Sequence, residues 1–257
     1  MSGIDTSRVT AMDRMFYRCS VLKELDVSEF DTSRVNTAAH MFFNCQGLTE
    51  LDLTNFDTSK MTTMNNMFRC CKNLKTLDIS SFNTSKVTDM QYMFSDCNQL
   101  KNLYLDENFD TAAVKNMRDM FAQCFQLTTI DFGDKFNTFQ VNTMANMFRG
   151  CGRLTGLDVS GFDTSKVSNM RGMFQNCNGL AKLDVSSFNT SQVTNMHEMF
   201  AGCKNLQNLN LGNSFNTSKV TGMSSMFSLC INLEELNLGE SFDTSSVTNM
   251  SNMFCAL

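Results

Sequence analysis

Apolar positions along the chain switch between two periods. In the octapeptide MQYMFSDC, residues 90–97, the apolar side chains fall at i, i+3, i+4 and i+7, which predicts the buried stripe of a short helix. In the following segment Leu103 and Leu105 alternate with polar residues, which predicts a short strand that is buried on one side. The pattern therefore predicts a strand, a turn, a short helix and a second turn.

This pattern recurs along the chain at steps of 26 or 27 residues. A Phe followed by Asp-Thr or Asn-Thr marks each step, with Ile4 in the same place at the start: Phe30, Phe56, Phe82, Phe109, Phe136, Phe162, Phe188, Phe215 and Phe242. A fixed period of this size is typical of a solenoid, in which each unit buries its apolar face against its neighbours. We therefore predict one solenoid domain over residues 1–257 with about ten coils, the last one truncated.

Two architectures fit the repeat. In the first, parallel strands cover one face of the solenoid and short helices cover the opposite, convex face. In the second, the V-T-x-M segment is extended and the chain forms a wider parallel β-helix. The longer repeats add one residue just after the strand, where Gly133, Gly212, Gly239 and Asp106 predict a turn.

Composition and charge exclude several classes of function. The chain has 257 residues, 42% of them hydrophobic, with no Pro or Trp and a formal net charge of −5. Because it has no basic run, we expect no binding to nucleic acid. The sequence shows neither an apolar window long enough to span a membrane nor a signal peptide, so neither is expected in this chain.

Cysteine occurs once per repeat rather than in pairs. Two cysteines, Cys70 and Cys255, lie outside this position, and the other nine occupy it: Cys19, Cys45, Cys71, Cys97, Cys124, Cys151, Cys177, Cys203 and Cys230. This spacing predicts a ladder of small, buried, reduced side chains instead of a disulfide framework. Cys70 is expected to be the most exposed thiol.

Two motifs resemble catalytic or metal-binding sites, but comparison with the other repeats favours a structural interpretation of both. The segment VTNMHEMFAGC places His197 and Glu198 near a cysteine, but other coils carry unrelated residues at these two positions, which we expect to face solvent. The Asp-Thr-Ser triplet resembles that of aspartic proteases, yet it recurs and interchanges with Asn-Thr-Ser, which indicates a turn or a helix cap. With two histidines and no zinc motif, we predict no catalytic residue, no metal site and no cofactor.

An acidic row is the main candidate for partner binding. Most strands carry an Asp that points outward. The candidate partner-binding residues are these six Asp and two aromatic residues: Asp26, Asp52, Asp78, Tyr104, Asp131, Asp158, Asp184 and Phe139. Hydrogen bonds from flanking residues such as Ser28, Thr54 and Ser80 could offset the repulsion between these charges. Alternatively, the row binds a cation or a basic partner. The middle repeats of the chain are also richer in aromatic residues, with Phe125, Phe132 and Phe139 outside the repeat pattern.

The repeated phrase resembles a known family. Residues 173–196, which read MFQNCNGLAKLDVSSFNTSQVTNM, are similar to the BspA-like leucine-rich repeat of bacterial surface proteins, in the Mycoplasma and Gram-positive subgroup first catalogued as a domain of unknown function. The resemblance implies an α/β fold, a right-handed leucine-rich-repeat-like solenoid, at the surface of a bacterium or outside it. It implies roles in adhesion and defines no catalytic residues.

Two functions from different classes are consistent with these observations. The first is a non-enzymatic recognition or adhesion module that presents one face of the solenoid to a protein or glycan partner. The second is a structural spacer or scaffold element that self-associates end to end, because the first and last repeats lack the polar caps that solenoids usually carry.

Overall fold

The repeats stack around one continuous apolar core. The computed structural model describes residues 3–105 and 108–257. Within them, one cluster of buried apolar side chains extends from Met12 to Met253 and takes residues from each successive repeat. The chain is therefore a repeat solenoid in which each coil buries its inner side chains against the coils before and after it.

Short parallel strands follow the leucine positions of the repeat. A two-stranded sheet contains β1 (Thr76–Asp78) and β2 (Asn102–Tyr104), and a three-stranded sheet contains β3 (Lys182–Asp184), β4 (Asn208–Asn210) and β5 (Glu235–Asn237). The central leucines pair in register, Leu77 with Leu103 and Leu209 with its neighbours on both sides. The flanking residues point outward, which confirms the alternation predicted from the sequence.

The predicted helices are not formed. Across the two described ranges the segment between the first Met and the Cys of each repeat is a series of turns, so the helical part of the α/β prediction is wrong here. The predicted inner positions are nevertheless buried: Met90, Met93, Phe94 and Cys97 are all 0% exposed. Burial was thus predicted correctly, but the backbone conformation was not.

Left-handed residues explain why turns replace helices. In the segment 90–97, Tyr92 and Asp96 have φ angles of 56° and 62°, and equivalent residues in the other coils are also left-handed. A left-handed residue breaks a right-handed helix, and two of them close two successive turns. The freed amides then bond to the next coil, as Phe94 N does to Met120 O at 2.9 Å. Backbone hydrogen bonds between coils replace those within a helix.

The V-T-x-M segment forms a second column of contacts between coils. Single parallel bridges join Thr37 to Thr63, Thr63 to Asp89, and so on from Ala11 to Asn249. This segment is therefore extended, as in the alternative β-helix architecture, although each bridge involves one residue only. The solenoid consequently combines a strand column, a bridge column and a turn column.

Stacked aromatic rings run along the core. The Phe of each Met-Phe pair stacks on its equivalent in the next coil, from Phe16 to Phe254, with ring centroids 5.5–5.9 Å apart and planes within 13° of parallel. These offset stacks add to the burial of a large apolar area in each coil. The Phe column therefore ties neighbouring coils together through side chains.

A column of buried threonines satisfies backbone groups of the next coil. Thr111 is 1% exposed, and its Oγ1 donates to Asn137 O and accepts from Asn137 N, both at 2.6 Å. Thr217 makes the same two bonds to Asp243. The Asp or Asn before each Thr accepts from the amide two residues later, as Asp31 does from Ser33 at 2.9 Å. The Asp-Thr-Ser triplet is thus part of a turn, as predicted.

The extra residue of the longer repeats lies in a turn after the strand. Gly133, Gly212 and Gly239 have φ between 64° and 72°, a region that glycine enters without steric cost. A Cβ on Gly239 would clash with the backbone of Gly212 in the preceding coil. The turn predicted at Asp106 lies outside the described residues.

Candidate partner-binding surface

The outward positions beside each strand leucine form what we call the strand surface. Eighteen positions from residue 24 to residue 237 belong to it, and sixteen of them are exposed. Lys182 is its one basic residue, and nine positions are acidic: Glu24, Asp26, Glu50, Asp52, Asp78, Asp131, Asp158, Asp184 and Glu235. The surface is therefore strongly negative, more so than the chain as a whole.

The Asp residues of this surface share one local geometry, and we call the six candidate Asp residues the acidic ladder. In each, Oδ1 accepts from the amide two residues later, at 3.0 Å from Gly133 for Asp131 and at 2.9 Å from Ser160 for Asp158. The hydrogen bonds from Ser160 lower the pKa of Asp158, and those from Ser186 do so for Asp184. Asp158 and Asp184 are therefore ionised at neutral pH.

Hydroxyl groups offset part of the repulsion within the ladder, as the first alternative predicted. Ser28 Oγ donates to Asp26 Oδ1 at 2.6 Å, and Thr54 Oγ1 donates to Asp52 Oδ1 at 2.7 Å. A carboxylate has about four acceptor sites, so at Asp52, where both bonds from Thr54 reach Oδ1, capacity is left for a partner. The turn hydrogen bonds fix the orientation of each carboxylate.

Tyr104 lies within the acidic ladder. It pairs in register with Asp78, and its side chain is 53% exposed. Asp78, Tyr104 and Asp131 line one shallow depression, and Asp26 and Asp52 line a second one that also includes Asp78. The structure thus brings four Asp residues and the Tyr together over successive coils. Asp158 and Asp184 continue the column but line neither depression.

The extra aromatic residues of the middle coils do not form one patch. Phe132 packs against core rings, with its centroid 4.5 Å from that of Phe136 and 5.3 Å from that of Phe162. Phe125 is 44% exposed. Phe139 belongs to the Asn-Thr turn column, where Lys166 Nζ lies 5.5 Å from its ring centroid. Phe139 is therefore separate from the acidic ladder.

A second charged surface was not predicted from the sequence. The segments between the first Met and the Cys of each repeat form what we call the turn surface. Six of the nine arginines lie in these segments: Arg14, Arg18, Arg69, Arg118, Arg149 and Arg171. The last four, which we call the arginine strip, line two adjoining polar depressions.

Aromatic side chains accompany the arginines on the turn surface. The Arg69 guanidinium lies 4.3 Å from the ring centroid of Tyr92 and 5.8 Å from that of Phe43. Phe43 in turn stacks on Tyr17 at 4.9 Å, and Arg118 lies 5.9 Å from the Tyr92 ring. Cation–π contacts of this kind hold a guanidinium in place while its outer N–H groups stay accessible.

The cysteine ladder is a structural feature. Each buried thiol donates to the carbonyl oxygen of a Phe in the preceding coil, as Cys97 Sγ does to Phe68 O at 3.2 Å. Burial raises the pKa of the Cys97 thiol well above its usual value, so it stays protonated and unreactive. All eleven cysteines are free. Cys255 is exposed whereas Cys70 is half-buried, which corrects the expectation for Cys70.

His197 and Glu198 are half-buried rather than fully exposed. The His197 ring is within hydrogen-bond distance of Ser224, and Glu198 Oε2 accepts from Arg171 at 3.0 Å. They join neighbouring coils. No group of three or more possible metal ligands was found among the residues that the structure describes. In the same residues no helix is long and apolar enough to cross a membrane.

Comparison with known families identifies the class of this protein. The sequence matches the family described as "Mycoplasma protein of unknown function, DUF285" over residues 1–106, 40–153, 101–208 and 179–257. These overlapping matches span the chain, and the chain belongs to this family. This confirms the resemblance to the Mycoplasma and Gram-positive repeat subgroup.

The solved structures that match this chain share little sequence with it. A leucine-rich cell surface protein from Faecalibacterium prausnitzii is 18% identical, with 89% of this chain and 76% of that one covered and a TM-score of 0.37. A leucine-rich repeat protein from Bacteroides ovatus is 15% identical, with 96% and 80% covered and a TM-score of 0.41. No curated protein matches the sequence.

Proposed function

We propose that this chain is a non-enzymatic recognition or adhesion module of a bacterial surface protein. It acts as a single ten-coil solenoid over residues 1–257, and its strand surface contacts a protein or glycan partner. Because the strand surface is negative, the partner carries positive charge, in Lys and Arg side chains or in amino sugars. The family membership and the open, regular strand surface support this proposal.

The acidic ladder is the observation on which this proposal rests. Parallel coils stack about 4.8 Å apart, so neighbouring carboxylates repel by about 1 kcal/mol even at the dielectric constant of water. A protein surface lowers the dielectric and increases this cost. Serine and threonine hydroxyls offset part of it at Asp26 and Asp52. A cationic partner would offset the remainder, and Tyr104 would add contact area typical of a binding hot spot.

An array of glycans and extracellular-matrix proteins tests the proposal. The probe is the full chain, together with the variant Asp52→Asn/Asp78→Asn/Tyr104→Ala. Asn keeps the acceptor that each turn requires, as Asn210 does for the amide of Gly212 at 3.2 Å. We expect the wild type to bind a defined, cationic subset of the array and the variant to lose it.

A variant on another surface provides the control. Arg171→Gln changes the turn surface and leaves the strand surface intact, so it should bind the array as the wild type does. If the Asp and Tyr variant bound as strongly as the wild type, the strand surface would not be the contact surface.

A scaffold function is the second candidate. Met250, Phe254 and Leu257 are each more than 40% exposed, which would favour association through apolar contacts. Light scattering at increasing concentration tests this candidate. A monomer whose mass stays constant in high salt, where apolar contacts persist, would exclude it.

A further inference from the structure

We propose that a second copy of this chain is a partner of the strand surface, with the acidic ladder of one copy against the arginine strip of the other. This inference rests on the proposed role of the strand surface as a contact surface. It adds the turn surface as the complementary one. The result is lateral association of solenoids, which differs from association through their ends.

Charge is unevenly divided between the two surfaces. Nine carboxylates and one cation lie on the strand surface. The turn surface holds six arginines, and its acidic residues are fewer: Asp13, Asp96, Asp119 and Glu198. A chain with a net charge of −5 thus carries one surface much more negative than its average and another that is net positive. Opposite surfaces of this kind orient two copies before contact.

The two surfaces have the same spacing because both follow the coil repeat. Arg118, Arg149 and Arg171 are exposed on three successive coils, whose backbones are joined by bonds such as Asn146 N to Arg171 O at 2.7 Å. Asp131, Asp158 and Asp184 occupy the strand surface of three successive coils. Each coil adds about 4.8 Å on either surface. Arg118 and Arg171 share one repeat position two coils apart, and Arg149 lies four residues further along its own repeat. Arg118 and Arg171 can therefore meet Asp131 and Asp184, which are also two coils apart, while Arg149 lies in the coil between them as Asp158 does.

The arginines keep donors for this contact. Arg118 Nε bonds to Asp119 Oδ2 at 3.1 Å, and Arg171 Nη2 bonds to Glu198 Oε2 at 3.0 Å, so each of these ion pairs involves one nitrogen of a guanidinium. A guanidinium has five N–H donors, and its fork matches a carboxylate. The side chains of Arg118 and Arg171 are 52% and 54% exposed. Their outer N–H groups can reach a carboxylate of another molecule.

The composition of the turn surface is also that of a protein interface. Arg and Tyr are enriched at the centres of interfaces, whereas Lys is depleted there. Tyr92 and Phe43 restrict Arg69 to one orientation, which lowers the entropy lost when it binds. The strand surface supplies acceptors with orientations fixed by their turns. Both sides of the contact are thus preorganised.

The contact joins two different surfaces, so it does not close on itself in a dimer. A pair still has one unused acidic ladder, on one copy, and one unused arginine strip, on the other, so further copies can add. We therefore expect the average mass to keep rising with protein concentration. We also expect assembly to weaken with salt, because exposed ion pairs are screened.

Two triple variants test the proposal by sedimentation velocity of the full chain at low salt. The strand variant is Asp131→Asn/Asp158→Asn/Asp184→Asn, and the turn variant is Arg118→Gln/Arg149→Gln/Arg171→Gln. Three exposed pairs of about 0.2–1 kcal/mol each predict association that is about 10-fold weaker in either variant. The control, Arg8→Gln/Arg34→Gln/Arg153→Gln, removes three exposed arginines outside the turn surface and should associate like the wild type.

Mixing the two variants gives the sharpest test. The strand variant keeps an intact arginine strip, and the turn variant keeps an intact acidic ladder. Each alone should associate about 10-fold more weakly than the wild type, but an equimolar mixture should form one-to-one dimers as readily as the wild type pairs, without growing further. Dimer formation also shows that both variants are folded.

Several results would overturn the proposal. These are a wild type that stays monomeric at millimolar concentration and low salt, a mixture that forms no dimer, or a control that loses association as the variants do. The turn variant also distinguishes a failure of this proposal from a failure of the proposed function. Its strand surface is intact, so it should still bind the cationic subset of the array even when it no longer self-associates.

Discussion

Replacing Thr111 by Val should destabilise the protein more than replacing it by Ser. Thr111 Oγ1 is both donor and acceptor for the backbone of Asn137 in the next coil. Val has nearly the same shape as Thr, but it leaves the amide and the carbonyl of Asn137 without this partner. Ser keeps the hydroxyl and loses only a buried methyl group. The two variants therefore separate hydrogen bonding from packing.

The structure allows the size of each effect to be worked out. An unsatisfied buried backbone group costs about 1–3 kcal/mol. The Asn137 side chain is exposed, so water can reach part of this backbone, and we take the lower value for each of two groups, about 2 kcal/mol in total. Loss of one buried methyl costs about 1 kcal/mol. We expect Thr111→Val to be less stable than Thr111→Ser by about 1 kcal/mol.

Urea unfolding followed by circular dichroism measures the free energy of unfolding of each variant. Hydrogen exchange shows which backbone amides lose protection. Exchange at the Asn137 amide should accelerate in Thr111→Val and change little in Thr111→Ser. Thr62→Val is the control, because Thr62 is exposed and its hydroxyl makes one bond of 3.3 Å to Asn36 O. Its effect should stay within about 0.5 kcal/mol. A Val variant as stable as the Ser variant would show that Thr111 acts only as apolar filling.

Three further predictions follow from packing and from ionisation. Gly222→Ala should lower the melting temperature, because a Cβ there would lie 2.2 Å from His197 Nε2, and adding His197→Ala should restore part of the loss. Iodoacetamide at pH 8 should modify Cys255 in the native protein and Cys97 only after unfolding. Burial raises the pKa of the Cys97 thiol above the value of about 8.5 that it has in the unfolded chain. The stabilisation that the protonated thiol contributes is therefore complete below that pH and decreases as the pH rises above it. The lowered pKa of Asp158 makes a contribution to stability that is present at neutral pH and is lost as the pH falls below about 4, so Asp158→Asn should melt slightly below the wild type at pH 7 and be less sensitive to acid.

Burial could be predicted from the sequence more reliably than backbone conformation. The positions i, i+3, i+4 and i+7 are buried in a helix, but they are equally buried when two left-handed residues close successive turns. Asn66, Asn146 and Gly172 occupy one left-handed column, and Asn44 and Gly202 occupy the other. Recurrent Asn and Gly at fixed positions of a supposed helix were therefore the signal that favoured turns.

The candidate surfaces differ in how well the sequence predicted them. Equal positions of a repeat share one face, so the column that includes Asp78 and Tyr104 could be assigned before the structure was known. Phe132 and Phe139 break the repeat, and nothing in the pattern indicated that one would enter the core and the other a turn column. The arginine strip alternates between two repeat positions, as Arg118 and Arg149 do, so it forms a continuous strip only when coils are stacked.

The bonds between coils have a consequence for how such genes change. Thr111 meets the backbone of the next coil as Thr217 does four coils later, and the Phe rings stack in the same way throughout. Duplication or deletion of one complete repeat would therefore create a junction of a kind already present many times. Unequal recombination between repeats should yield chains of different lengths that still fold, so the length of the solenoid can change without a new interface between coils.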